Sequence, residues 1–235
     1  MLFLSGNLPP TSAAATLVVP RNGIPAATAK FGGYMPAVWS KFGLNGGQML
    51  GSRTAVQLVS GDGAPHLEAG PPDPDPAFAW NAADPATATV SAFSPAARFL
   101  VGFPGPSWLG FHGLDVTPDA PGSFLSVALV SRDGKPIADS NSLLLTAASR
   151  FENQDDVWNT ARTSVGNQWG HGPVLGHAAP ASIGIETGAT AATVYALDAT
   201  GARLKTVPST LTNGKLQFHV GPDAGTVWYE IAATR

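Results

Sequence analysis

Two tryptophans, Trp158 and Trp169, lie in a polar stretch that also holds Arg162 and several side-chain amides. Indole rings offer flat apolar faces to the axial C–H groups of a sugar ring, and amide and guanidinium groups supply paired hydrogen bonds to its hydroxyls. We therefore predict a carbohydrate-binding site formed by Trp158, Asn159, Arg162, Asn167 and Trp169. The alternative is structural: the same side chains brace a long loop against its own domain and cap its backbone groups.

Three acids, Glu152, Asp155 and Asp156, lie within five residues of the same stretch. Glycoside hydrolysis needs two carboxyl groups about 5 to 10 Å apart, so these acids are the candidates if the chain is a self-sufficient hydrolase. Such a cluster is more typical of a solvated loop or a calcium-friendly patch. We therefore assign no catalytic residue.

His171 and His177 lack a clear third ligand, and we predict neither a metal site nor a cofactor.

The composition excludes several function classes. Charged residues are only 12% of the 235 residues, and the formal net charge is −3, so there is no electrostatic footprint for DNA or RNA and no polybasic membrane surface. No stretch approaches the roughly 18 to 20 apolar residues of a transmembrane helix. The chain has no cysteine, which removes disulfides and thiolate chemistry. Its first residues lack a basic segment and a long apolar run, so we expect no signal peptide in this chain.

The elements that must position the site are strands. Gly (27) and Pro (21) are frequent, and short alternating segments separated by turn residues are typical of β-sandwiches. Asp133-Gly134 predicts a hairpin turn that pairs residues 123–131 with 141–149. Further strands are predicted over 181–186, 192–197, 202–207, 215–220 and 226–232. We therefore predict an all-β fold of two antiparallel sandwich-like domains, residues 1–140 and 141–235, the second immunoglobulin-like.

A longer pattern runs through residues 143–173, LLLTAASRFENQDDVWNTARTSVGNQWGHGP. It resembles a segment near the C-terminus of large bacterial glycoside hydrolases that have a (β/α)₈ catalytic barrel. The end of the chain, VYALDATGARLKTVP followed by FHVGPDAGTVWYEI, is similar to the closing sandwich of those enzymes. The resemblance covers roughly residues 120–235. The matching residues are 143–147, Arg150, Glu152, Asn153, 157–159, 162–164, Gly166, Trp169 and Gly170.

The resemblance implies the non-catalytic β region of a polysaccharide-degrading enzyme. The catalytic glutamates of those families lie on barrel strands, and this chain is too short and too β-rich to contain the barrel. The implied partners are a polysaccharide or oligosaccharide and a catalytic barrel domain upstream, and the implied location is extracellular or periplasmic. The alternatives are a self-sufficient small glycoside hydrolase and a purely structural domain that mediates assembly.

Overall fold

The structure is a computed structural model that describes residues 15–23, 54–63, 66–68, 77–81 and 84–235. The chain divides into two compact units, Met1–Ala92 and Phe93–Arg235. Within the described residues, the helical segments are single 3-10 turns, and nearly all other regular structure is strand. Those turns are Arg21–Gly23, Pro85–Thr87, Ile137–Asp139 and Pro222–Ala224. The all-β prediction is confirmed.

The described part of the first unit contains a three-stranded sheet and a hairpin. The strands are β1 (Ala15–Pro20), β2 (Thr54–Val59), β3 (His66–Glu68), and the paired β4 (Phe78–Asn81) and β5 (Thr89–Ser94), the last of which ends in the second unit. Strand β1 lies between β2, with which it is parallel, and β3, with which it is antiparallel. The parallel pair departs from the predicted antiparallel pattern.

The second unit is built from two antiparallel sheets. The strands are β6 (Ala97–Gly102), β7 (Trp108–Phe111), β8 (Leu114–Pro118), β9 (Leu125–Ser131), β10 (Ser142–Asp156), β11 (Trp169–Ala178), β12 (Ala181–Glu186), β13 (Ala191–Leu197), β14 (Arg203–Val207), β15 (Ser209–Thr212), β16 (Lys215–Val220) and β17 (Trp228–Thr234). From β6 onward, the strands of the first sheet follow the order β14-β13-β17-β10-β9-β6, with β11 paired to β10, and the second sheet has the order β15-β16-β12-β8-β7.

Alternating apolar residues hold the two sheets together. On β9, burial alternates strictly from Leu125 to Ser131, and Leu143 and Leu145 continue the buried face on β10. These side chains and those of the second sheet, such as Ile183, form one hydrophobic cluster. Each large aliphatic side chain removed from water contributes about 1.5–3 kcal/mol. The second unit is therefore a β-sandwich with a shared core, and its immunoglobulin-like character stays a prediction.

The pairing of β9 with β10 is the one that the Asp-Gly turn predicts, with Leu143 opposite Ser131 and Ala148 opposite Ser126. Asp133 closes the connection: its carboxylate accepts hydrogen bonds from the Ser140 hydroxyl at 2.7 Å and the Asn141 amide at 2.9 Å. The predicted domain boundary at residue 140 falls inside the second unit. It lies between two strands that are neighbours in one sheet.

Candidate functional site

The predicted site lies on a two-stranded extension of the first sheet. The first half of β10 is a central strand between β9 and β17, whereas its second half pairs only with β11 in the described residues. We call residues 148–178 the hairpin arm. Because its two strands are not enclosed by the sheet, its side chains on both faces meet solvent more than those of the sandwich strands do. Residues 157–168 form the turn at its tip.

Glu152 is the centre of a polar cluster on one face of the arm. Its Oε2 accepts hydrogen bonds from Trp158 Nε1 at 3.1 Å and from Arg162 Nη2 at 2.8 Å. Its Oε1 lies 2.7 Å from His177 Nε2 and 3.3 Å from Arg150 Nε. Only 14% of the Glu152 side chain is exposed, against 50% for that of Arg162. Trp158 and Arg162, two of the predicted carbohydrate-binding residues, therefore both bind Glu152, one of the three candidate acids.

Strand register and turn geometry build this cluster. Arg150 lies opposite His177, and Glu152 lies two residues further along β10 on the same face. The tip turn then brings Trp158 and Arg162 back over that face. Arg162 adopts a left-handed backbone conformation with φ of 52°, and its guanidinium lies 5.0 Å from the centre of the Trp158 ring. This distance is that of a cation–π contact.

The surroundings of Glu152 do not suit a catalytic acid. Burial raises the pKa of Glu152, but the charge of Arg150, the contact with His177 and the charge of Arg162 lower it, and the net pKa is below the usual value. A glycosidase acid needs a raised pKa so that it still holds its proton near neutral pH. Glu152 is instead an ionised anchor for the residues around it.

The other two acids have partners of their own. Asp155 has a left-handed backbone, with φ of 64°, and its Oδ2 lies 2.9 Å from His171 Nε2. A hydrogen bond with the Gly172 carbonyl and the charge of Asp155 raise the pKa of His171. Asp156 Oδ2 accepts a hydrogen bond from the backbone N–H of Asn153 at 2.9 Å, and this bond tightens the end of β10.

Of the two predicted asparagines, Asn159 uses its side chain in hydrogen bonds within the tip turn, whereas the side chain of Asn167 does not. Asn159 braces the tip turn, because its Oδ1 accepts from the Thr163 amide at 2.9 Å and its Nδ2 donates to Thr163 Oγ1 at 3.0 Å. Its backbone nitrogen also donates to the Ser164 carbonyl at 3.0 Å. Asn167 is exposed, and its side chain makes no hydrogen bond to any other residue the structure describes. Asn167 is therefore the more accessible of the two.

Trp169 is the most exposed aromatic residue of the arm, with 64% of its surface accessible. Its backbone is held in place: Asn153 Nδ2 donates to the Trp169 carbonyl at 2.8 Å, and Trp169 pairs with Asp156. Gly170 follows in a left-handed conformation with φ of 57°, and an added Cβ there would collide with the Gln154 carbonyl. An exposed indole on a fixed backbone is a suitable platform for a flat ligand.

The opposite face of the arm carries apolar residues that sequence reasoning missed. Phe151 and Val174 are 59% and 63% exposed, and both belong to the face that Asn153 shares. The Phe151 ring covers Gly176, where an added Cβ would lie 2.8 Å from the ring carbon Cε1. Continuing the alternation of β10 past Arg150 would have identified this face.

Among the described residues, no group of three or more His, Cys, Asp or Glu side chains is placed to hold a metal ion. No helix in those same parts of the chain is long and apolar enough to cross a membrane.

No protein-family model, curated protein or solved structure matches this chain. The likeness of residues 120–235 to the closing region of glycoside hydrolases therefore stays a prediction.

Proposed function

We propose that this chain is an accessory β-sandwich region of a polysaccharide-degrading glycoside hydrolase. In this proposal the hairpin arm is its glycan-binding surface. The location of such a region would be extracellular or periplasmic, where polysaccharides are degraded. The support comes from a rigid sandwich that presents an arm with aromatic and amide side chains at its tip, and from the resemblance of the same segment to those enzymes.

The observation that carries the proposal is the exposure of Trp169. Its indole is 64% accessible although the backbone around it is fixed by Asn153 and by the tight approach at Gly170. A preorganised aromatic face loses little conformational entropy on binding. The negative face of its π-system complements the polarised C–H groups of a sugar ring.

Trp158 and Arg162 have a different role from Trp169. One face of the Trp158 ring is covered by Arg162, and its indole N–H is bound to Glu152. The Arg162 side chain is half exposed and uses Nη2 for Glu152, which leaves its other N–H groups for sugar hydroxyls. In the proposed complex, Arg162 donates to the glycan that stacks on Trp169, and Glu152 fixes its direction.

The experiment compares wild-type protein with Trp169→Ala by affinity electrophoresis and calorimetry against soluble β-glucan, xylan, mannan and galactan. We expect one polysaccharide to bind and Trp169→Ala to weaken that binding by about five- to thirtyfold, because an aromatic stacking contact contributes on the order of 1–2 kcal/mol. Binding to none of the four, or equal binding by Trp169→Ala, would remove the proposal.

Trp228 provides a matched control. It is 38% exposed and lies opposite Thr146 on β10, whereas Trp169 lies opposite Asp156. At roughly 3.3 Å per strand residue, the two positions are about 30 Å apart along β10. Trp228→Ala should therefore leave the affinity unchanged.

A second candidate function is bracing of the catalytic barrel, and the exposed Phe151 and Val174 favour it. Apolar side chains in adjacent positions on a strand pair are typical of a surface that packs on another protein. The gene's upstream reading frame identifies the domain to test. If it encodes a barrel, the two proteins should co-purify, and replacing both residues with Ser should prevent this while Trp169→Ala should not.

A further inference from the structure

The outer face of the second sheet carries a concave trough of about 560 Å³. We call it the outer-face trough. Its floor and one wall are outward-facing positions of neighbouring strands: Ser182 lies opposite Thr117, and Gln217 lies opposite both Gly184 and Thr210. With Leu109 on β7, the lining of the trough draws on all five strands of the sheet that does not contain the arm's strands.

Gly184 leaves room for an ion pair beside the trough. An added Cβ at this position would lie 2.8 Å from Lys215 Cε and 3.3 Å from Asp115 Cβ. The missing side chain allows Lys215 to reach across β12 and form an ion pair with Asp115. Asp115 also accepts a hydrogen bond from the Gly110 amide. The one carboxylate that lines the trough is therefore neutralised by Lys215.

The polar side chains of the trough are free to bind a ligand. Thr117, Ser182, Thr210 and Gln217 are exposed, and none of their side chains hydrogen-bonds to another residue that the structure describes. Three hydroxyls and one amide both donate and accept, and they carry no charge. Leu109, 68% exposed, adds an apolar patch to the lining. The volume lies within the range of about 300–1,000 Å³ that small-molecule sites occupy.

We propose that the outer-face trough is a second saccharide-binding site, separate from the arm. Neutral groups that both donate and accept hydrogen bonds match the hydroxyls of an uncharged oligosaccharide. In the proposed complex, Leu109 packs on the apolar face of a sugar ring. The ligand class rests on the proposed function, whereas the location rests on the trough itself. An accessory region with two such sites holds a polysaccharide chain at two points, which raises the effective concentration of each site for the other.

The test is an NMR titration of backbone amides in the full chain with short gluco-, xylo-, manno- and galacto-oligosaccharides. We expect one of them to shift the amides around Ser182 and Gln217, in wild-type protein and in Trp169→Ala alike. Gln217→Ala should bind at the trough about fivefold more weakly, because a lost hydrogen bond is worth about 1 kcal/mol. Ser182→Phe fills the trough and should abolish those shifts. Gln57→Ala, an exposed glutamine of the first unit, is the control.

The outcomes separate the two proposals. Shifts confined to the arm, with the trough amides unmoved, would overturn the trough and leave the arm as the glycan surface. Shifts confined to the trough would support it and overturn the arm as a binding surface. Unchanged affinity in both Gln217→Ala and Ser182→Phe would overturn the proposed trough site, even if the backbone amide signals around it shift. No shift with any of the oligosaccharides would overturn both sites.

Discussion

At the scale of single residues, Glu152 changes most between sequence and structure. Its proximity to Asp155 and Asp156 suggested an acid pair, since sequence distance is the only distance a sequence contains. In the structure its contacts are with two arginines, a histidine and an indole. Three of those partners are 6 or more positions away or on another strand, which explains why the cluster could not be predicted.

The first prediction concerns the charge of Glu152. Glu152→Gln should keep the size of the side chain but leave Arg150 and Arg162 without their anion, so the tip turn should loosen around Trp158. Acrylamide quenching of tryptophan fluorescence should increase. The matched control is Glu230→Gln, because Glu230 is also held by two arginines, Arg132 and Arg203, but on the sheet. Unchanged quenching in Glu152→Gln would contradict the anchoring role.

The same variant addresses the alternative of a self-sufficient hydrolase. We expect wild-type protein and Glu152→Gln to be equally inactive on chromogenic glycosides, because a carboxylate with a lowered pKa does not act as the acid. Turnover in the wild type that Glu152→Gln abolishes would restore the catalytic interpretation.

The second prediction uses two glycines with the same backbone conformation. Gly166 and Gly170 both have φ of 57°, but an added Cβ meets nothing within 4 Å at Gly166 and collides with backbone atoms at Gly170. Gly166→Ala should cost about 1–2 kcal/mol, the conformational penalty alone. Gly170→Ala should cost more and should release the strand end that positions Trp169. Hydrogen exchange of the arm amides measures both, and equal effects would contradict the close packing at Gly170.

At the scale of elements, most strands of the sandwich could be predicted, whereas β15 and the arm could not. The alternation of apolar and polar residues predicted strands over 181–186 and 215–220, and the structure has strands β12 and β16 there. Strand β10 continues to Asp156 instead of ending near Ser149, and β11 occupies a Gly- and Pro-containing segment that has no apolar alternation. Its strand structure depends on cross-strand contacts, such as Phe151 over Gly176, which local propensity does not report.

The third prediction is a pH dependence of the arm. Because the pKa of His171 is raised in the folded state, its pairing contributes stability that is fully present below its unfolded value of about 6.5. This stability is lost as the pH rises through the folded pKa. Glu152 acts in the opposite sense, since its lowered pKa contributes stability that is lost as the pH falls through the folded value. The arm should therefore be best ordered in mildly acid solution.

Hydrogen exchange corrected for intrinsic rates should show this optimum at the arm amides. In His171→Asn the loss of protection on the alkaline side should disappear, while the loss on the acid side remains. Protection that is independent of pH in the wild type would contradict the contribution of the His171–Asp155 pair.

At the scale of the whole molecule, composition predicted the all-β fold class, and the two compact units divide at Ala92 and Phe93. This division falls inside strand β5, where no glycine or proline marks it in the sequence. What distinguishes the second unit is its shared core, and that depends on which strands face one another.

The fourth prediction tests that core. Leu145 is fully buried between the sheets, and Leu145→Ala should lower the free energy of unfolding by about 2–5 kcal/mol because of lost burial and the cavity left behind. Urea denaturation measures the change, with the exposed Leu204→Ala as a control that should stay within about 0.5 kcal/mol. A cost below about 1 kcal/mol for Leu145→Ala would contradict a packed sandwich. At urea concentrations below its unfolding midpoint, the Leu145→Ala variant should still bind glycan as the wild type does.

In the proposed complex, Trp169 is the platform on which a glycan stacks. The chain has 6 tryptophans, and the indole N–H signal of Trp169 can be assigned from its absence in Trp169→Ala. When the polysaccharide that binds in calorimetry is titrated into the wild type, that signal should shift in step with saturation while the signal of Trp228 stays in place. Saturation of the protein with the Trp169 signal unmoved would contradict the account.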